Sequence, residues 1–369
     1  MNRPFKAFLF FASAIAFLCA GANAQSGRVV PTPTPEETVK VVTEEIKLNV
    51  LAFDEDGNFV TDVKESDLVI TEDNVLHQPS SVRRMTANVL IVMDTGGELR
   101  SVKSLDQTRK AAAGIVSALR SEDSVAILQY SDKAEIVGEW TRNKADAYAA
   151  INRTSFGRRS AFAKAIELAR DFLTKSSRDN KHLVLISDGT DSFVDLGTKQ
   201  RAMRSLLATD VTVHVLSYTK MEANDIEPRT KAFSNTTPPK ALPDEVVAGL
   251  PNGVRQTAQA PKIGPTINLD RKLIQTMRAP KADLEVSEEQ LSELAANTNG
   301  EVVIPLDKEE MLEKTGLIAR MIDSSYVVTY TPKIPVDETG TERNILVTSK
   351  RPGLVVEARR KLIVGNPRR

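Results

Sequence analysis

Two short apolar runs stand out in the hydrophobic pattern. Val89 to Met93 is closed by Asp94 and two glycines, and Leu183 to Ile186 is closed by Ser187-Asp188-Gly189. Runs this short and this branched read as strands buried on both faces, the habit of central parallel strands. Each would deliver a carboxylate, Asp94 or Asp188, to the carboxyl end of its strand, where open α/β sheets bind ligands beside a helix N-terminus. Around them strand and helix patterns alternate. Residues 101–120 place Val102, Leu105, Ala111, Ala112, Ile115, Val116 and Leu119 along one face of an amphipathic helix. Val125 to Tyr130 and Ile136 to Trp140 read as strands, Lys144 to Asn152 and Ala161 to Leu173 as helices, Lys199 to Leu207 as a helix and Val211 to Ser217 as a strand. This succession predicts an α/β fold, a doubly wound parallel sheet, over residues 87–323.

The flanks have a different period. Ile46, Leu48 and Val50 alternate onto one face, Leu68 to Ile70 and Val82 to Met85 follow, and β-like runs return at Tyr326 to Tyr330, Asn344 to Thr348 and Leu354 to Val364. Residues 44–86 and 324–369 are therefore expected to form one small β module, because neither part alone has enough strands to bury two faces. Asp54 to Asn58 has the carboxylate spacing of a calcium loop. Phe59 stands where such a loop needs glycine, and a tight Asp-Gly turn is the preferred reading. Residues 220–265 show no sustained period and are expected to be largely disordered, with a helical turn at Asp244 to Leu250. A helix is predicted to begin at Ser287, capped by Ser287 and Gln290, and to end at Gly300. A strand at Val302 to Ile304 and a helix over Lys308 to Asp323 follow.

Composition adds an address. The chain has 369 residues with 49 basic and 49 acidic side chains. No basic field points to nucleic acid. Residues 1–24 read as a signal peptide: Arg3 and Lys6, an apolar stretch from Phe8 to Leu18 too short to span a bilayer, and the Ala22-Asn23-Ala24 cleavage pattern. Residues 25–43 follow as a flexible Pro/Thr linker. The single cysteine, Cys19, lies inside the leader, so the mature chain would have no disulfide. That fits a periplasmic or secreted protein of a Gram-negative bacterium, cleaved near Ala24. No transmembrane segment is read later in the chain.

Enzyme chemistry finds little support. Asp94-Thr95-Gly96 has the aspartic-protease triplet, but that chemistry needs two such carboxylates sharing a proton, and the second acid sits in Asp188-Gly189-Thr190. The latter triplet resembles a haloacid-dehalogenase motif, with Ile186 where its nucleophile would stand. Gly-x-Ser-x-Gly, Walker and His-Glu-x-x-His patterns are missing, and His77, His182 and His214 are scattered. The protein is expected not to be an enzyme.

The strand ends resemble those of the von Willebrand factor type A fold, whose metal-ion-dependent adhesion site uses Asp-x-Ser-x-Ser, a separate Thr and a separate Asp. Asp94 matches the first Asp, Ser160 in Ser160-Ala161-Phe162-Ala163 the threonine, and Asp188 the last Asp. Gly96 and Glu98 replace the two serines, so the site is degenerate. The lead-in Phe53 to Val60, Asp67 to Ile70 and Glu72-Asp73, and the tail Tyr326 to Pro332 and Leu354 to Arg359, resemble bacterial exported "VWFA-related" proteins. The resemblance implies Mg²⁺ or another divalent cation at Asp94, Glu98, Ser160 and Asp188, and a protein or peptide partner. The alternative is a metal-free structural scaffold or assembly protein, in which Arg158 and Arg159 would neutralise the two aspartates.

Overall fold

The computed structural model describes residues 45–97, 103–237, 244–260, 263–333 and 342–363. The expected leader 1–24, the linker 25–43 and Glu98 lie outside the described residues. In chain order the elements are β1 (Ile46–Phe53), β2 (Leu68–Glu72), β3 (Val75–His77), β4 (Ser81–Arg83), β5 (Asn88–Asp94), α1 (Leu105–Ala118), β6 (Ser124–Tyr130), β7 (Ala134–Thr141), α2 (Lys144–Arg153), α3 (Phe162–Lys175), β8 (Lys181–Ser187), α4 (Leu196–Leu207) and β9 (Thr212–Ser217). Then come α5 (Thr219–Ile226), β10 (Phe233–Ser234), α6 (Asp244–Ala248), α7 (Asn252–Gln259), β11 (Thr266–Ile267), α8 (Arg271–Thr298), β12 (Val302–Val303), α9 (Lys308–Glu313) and α10 (Thr315–Asp323). The chain closes with β13 (Ser325–Tyr330), β14 (Glu342–Ser349), β15 (Val355–Ala358) and β16 (Lys361–Ile363).

The larger sheet has six strands in the order β12-β9-β8-β5-β6-β7. All neighbours are parallel except β7, which runs antiparallel to β6 at one edge. Every residue of β5, β6 and β8 is buried. Because alternate side chains point to opposite faces, Val89, Ile91 and Met93 join one core with Ala111, Ile115 and Ile318 from α1 and α10. Leu90 and Val92 join the other with Phe162, Ile166, Leu206 and Leu291 from α3, α4 and α8. Helices on both faces leave the carboxyl ends of β5 and β8 as the place where loops converge.

The remaining long strands build two four-stranded sheets, β15-β1-β13-β4 and β16-β14-β2-β3. Their inner faces share a core of Leu48, Val50, Leu68, Ile70, Val328 and Val347. The sequence around Gly57 is a turn: the Asp54 carboxylate accepts from the backbone amides of Asp56 and Asn58 at 3.0 and 2.7 Å, and Gly57 takes φ +79°. Arg359, only 3% exposed, ties these sheets to the larger one. Its guanidinium donates to the Leu207 and Thr209 carbonyls at 3.1 and 2.5 Å, at the end of α4 where helix carbonyls lack intrahelical partners. Asn49 donates to the Thr212 hydroxyl at 2.8 Å, and Lys47 pairs with Asp179.

Two expectations need correction. The stretch 220–265 is not structureless where it is described: it carries α5, β10, α6 and α7. Met221, Ala223 and Val247 are buried, and α5 packs along α8, so tertiary contacts supply order that no local period announced. The helix expected from Ser287 starts at Arg271, where Asp270 is the N-cap and accepts from the amides of Lys272 and Leu273. Pro280 lies inside it, where the missing N–H normally ends a helix. Ser287 is therefore mid-helix, and its hydroxyl faces Gly189 and Lys199 instead of capping.

Candidate functional site

At the carboxyl ends of β5 and β8, Asp94 and Asp188 are both fully buried. Between them lies the ammonium of Lys103, its side chain 2% exposed, at 2.6 Å from Asp94 Oδ2 and 3.0 Å from Asp188 Oδ2. The other oxygen of each carboxylate is held by the chain itself. Asp94 Oδ1 accepts from the Gly96 amide at 3.1 Å. Asp188 Oδ1 accepts from the Thr190 amide at 2.8 Å and its hydroxyl at 2.6 Å. Lys103 is fixed by its neighbour in the chain: Ser104 is the N-cap of α1, its hydroxyl accepting from the Gln107 amide at 3.3 Å. The ammonium thereby reaches the carboxyl ends of β5 and β8.

The surroundings are polar but closed. Ser160 is buried and donates to Asp94 Oδ2 at 3.5 Å, while its amide donates to Ser192 and its carbonyl accepts from Ser192. Asp191 pins the loop after β8 to α3, accepting from the Ala163, Phe193 and Val194 amides at 2.7, 2.7 and 3.1 Å. Tyr130 hydrogen-bonds Ser187 at 2.6 Å and Tyr218 hydrogen-bonds Thr108 at 2.8 Å. Burial, and then the nearby charges of Asp94 and Asp188, hold the Tyr130 phenol well above its ordinary pKa; burial does the same first for Tyr218. Both tyrosines are neutral hydrogen-bonding groups at any physiological pH.

A second lysine, Lys199 on α4, is also buried and donates to the Gly189 carbonyl at 3.0 Å and the Ser287 hydroxyl at 2.9 Å. Burial pulls its pKa below the usual lysine value, with Asp188, Asp283 and Asp191 acting against that shift. It locks the loop after β8 to α8. Beside it opens a cavity of about 210 Å³ lined by Thr190, Asp191, Val194, Leu196 and Val286. The rim is amphipathic. Phe193 and Leu196 are 42% and 50% exposed, and the Arg159 and Lys164 cations lie 5.4 and 6.0 Å from the Phe193 ring.

A profile of the von Willebrand factor type A domain matches residues 89–190, the span from β5 to the loop after β8. The chain carries a von Willebrand factor type A domain. An uncharacterised protein of Synechocystis, sll0103, is 26% identical over 142 residues, covering 37% of this chain. The match takes in about a third of that relative's length (33%). Among solved structures, BatB of Bacteroides thetaiotaomicron is 15% identical, covers 64% of this chain and 98% of its own, and superposes with a TM-score of 0.40. The von Willebrand factor type A protein of Catenulispora acidiphila is 10% identical, with coverage of 83% and 74% and a TM-score of 0.42. The manganese-loaded TRAP protein of Plasmodium vivax is 10% identical, with coverage of 82% and 100% and a TM-score of 0.37.

The described residues at this domain's carboxyl edge, Glu98 not among them, do not fit a divalent ion. Asp94, Ser160 and Asp188 converge as the sequence pattern implies, but the space their oxygens surround is taken by the Lys103 ammonium. Gly96, at a serine position of the family pattern, has no room for a side chain: a Cβ there would fall 1.9 Å from the Arg159 carbonyl oxygen. Among the described residues no group of three or more His, Cys, Asp or Glu is placed to hold a metal. The neutralising cation is Lys103 rather than Arg158 or Arg159. Those two are exposed, and their backbone amides, not their guanidinium groups, meet the Asp132 carboxylate at 3.3 and 3.1 Å. By sequence, Lys103 falls within an amphipathic helix, where a lysine is ordinarily solvated. The signal available was electrostatic: two carboxylates on doubly buried strands require a cation close by.

Proposed function

We propose that the chain is an exported, non-enzymatic interaction module that meets a protein or peptide partner at the carboxyl edge of its von Willebrand factor type A domain without a bridging metal ion. Domains of this family are generally interaction modules. The observation that carries the reading is the separation of two layers at this edge. The carboxylates are buried and engaged by Lys103, while Phe193, Leu196, Arg159 and Lys164 form an exposed outer rim, with both cations against the Phe193 ring. Aromatic side chains and arginine are enriched at protein interfaces, and Phe193 with Arg159 has that composition. Contact through this rim uses apolar burial and cation–aromatic pairing, and needs no partner carboxylate to complete an ion's coordination. The leader and cleavage pattern favour export to the periplasm.

A photo-crosslinking amino acid at Phe193 in the native host tests this. Adducts are expected at Phe193, undiminished by EDTA and weakened by Arg159→Ala, with none at Leu76, which is 60% exposed on the outer face of the β sheets. Adducts that require added Mg²⁺, or that form at Leu76 and not at Phe193, would overturn the proposal.

A further inference from the structure

We infer that the Lys103 ammonium is the resident cation of this domain: a tethered charge that replaces a dissociable divalent ion and makes the edge indifferent to divalent ions. The geometry is that of a bridging ligand, with Nζ at 2.6 and 3.0 Å from one oxygen of each aspartate. The second oxygen of each accepts from a backbone amide, so both carboxylates are held by the chain itself as well as by the ammonium. A divalent ion bound at ordinary oxygen distances, about 2.0–2.6 Å, would have to share this space with a positive charge. The loop geometry excludes the usual remedy as well, since any side chain at Gly96 would run into the Arg159 backbone. A tethered cation has an occupancy set by covalent connection and not by the ion content of the medium.

The substitution changes the charge at the edge. Counted over these groups alone, two carboxylates with a divalent ion sum to zero, whereas two carboxylates with one ammonium keep one negative charge. Lys103 is also shielded, with its side chain 2% exposed, so it offers no open position to an incoming acidic group. Among the described residues, the edge therefore offers a partner no open coordination position. The oxygens nevertheless remain close together: Oδ2 of Asp94 and Oδ2 of Asp188 flank the ammonium, and the Ser160 hydroxyl lies 3.5 Å from the former. Removing the ammonium leaves a latent divalent-cation site.

Ion binding at this edge goes beyond the partner reading and can be measured without any partner. The mature chain, with and without Lys103→Ala, is titrated with Mn²⁺ and followed by electron paramagnetic resonance. Wild type is expected to show no saturable binding, and its melting temperature in EDTA should equal that in millimolar Mg²⁺ to within about 1 °C, since an ion that does not bind the native state cannot stabilise it. Lys103→Ala is expected to bind one Mn²⁺ per chain, at least about tenfold tighter than wild type. Asp188→Ala in the same background should abolish that binding. If Lys103→Ala is unfolded without metal, recovery of its native circular dichroism on adding Mn²⁺ supports the inference equally, and failure to recover counts against it. Saturable, Asp94-dependent Mn²⁺ binding by wild type would overturn it, as would a folded Lys103→Ala that binds no better than wild type.

Discussion

Replacing Lys103 by methionine keeps most of the side-chain volume and removes the charge. In the native protein that charge lies against two carboxylates with 0% exposure, and its own side chain is 2% exposed. Removing one partner of a buried ion pair costs about 3–5 kcal/mol, because the remaining charge loses a counter-ion at a place where water does not replace it. Here two carboxylates lose the same partner, so the upper part of that range applies. Against a typical domain stability of about 5–15 kcal/mol, this is a loss of a third or more. Urea denaturation of the protein followed by circular dichroism measures it. The double variant Lys103→Met/Asp188→Asn, which deletes one surplus charge while keeping the shape, should recover about half of the lost stability. A Lys103→Met protein within about 1 kcal/mol of wild type would show that the ammonium is not the compensating charge.

Other substitutions probe the edge, the junction between the sheets and the buried histidines separately. Gly96→Ser should destabilise by about 2 kcal/mol or more despite restoring a family hydroxyl, because the Arg159 backbone must shift to admit a Cβ; chemical denaturation checks it. Arg359→Met should cost about 2–4 kcal/mol by leaving the Leu207 and Thr209 carbonyls without a donor and loosening β15 and β16, and faster proteolysis at the C-terminal strands should report it. Burial, with Arg120 adding a little, holds His182 down at about 3, and burial with His182 holds His214 well below its ordinary value. The unfolded chain therefore binds more protons than the native one as pH falls from about 6.5 towards 3, so stability falls over that window, by up to about 1.4 kcal/mol per pH unit for each histidine. Urea midpoints at pH 7, 6 and 5 should drop accordingly, and His182→Gln should flatten the slope.

The fold was legible where burial is two-sided and local. Val89 to Asp94 and Leu183 to Asp188 announced both central strands because apolar side chains are needed on both faces of a strand covered by helices. The alternation of Ile46, Leu48 and Val50 announced the strand that faces the smaller core, now seen with Val328 and Val347. What escaped was set by contacts distant in sequence. Helix α8 runs through Pro280 because Ile274, Leu284 and Leu291 are buried along one side, and a proline signal is local. The site was half legible. Asp94, Ser160 and Asp188 meet as their motif implies, but the partner that satisfies them comes from a position just before a helix cap, where lysine carries no pattern of its own. Lys199 escaped for the same reason: it opened a predicted helix with no pattern of its own, and only the packing of α8 over α4 buries it.

Whether a lysine or a metal ion occupies this edge is decided most directly by a crystal structure of the protein grown in millimolar MnCl₂, with anomalous data collected for manganese. The Lys103 ammonium is expected between Asp94 and Asp188, at hydrogen-bond distance from both carboxylates, with no anomalous peak there. A manganese ion coordinated by Asp94 and Asp188, with Lys103 swung away, would contradict a resident ammonium.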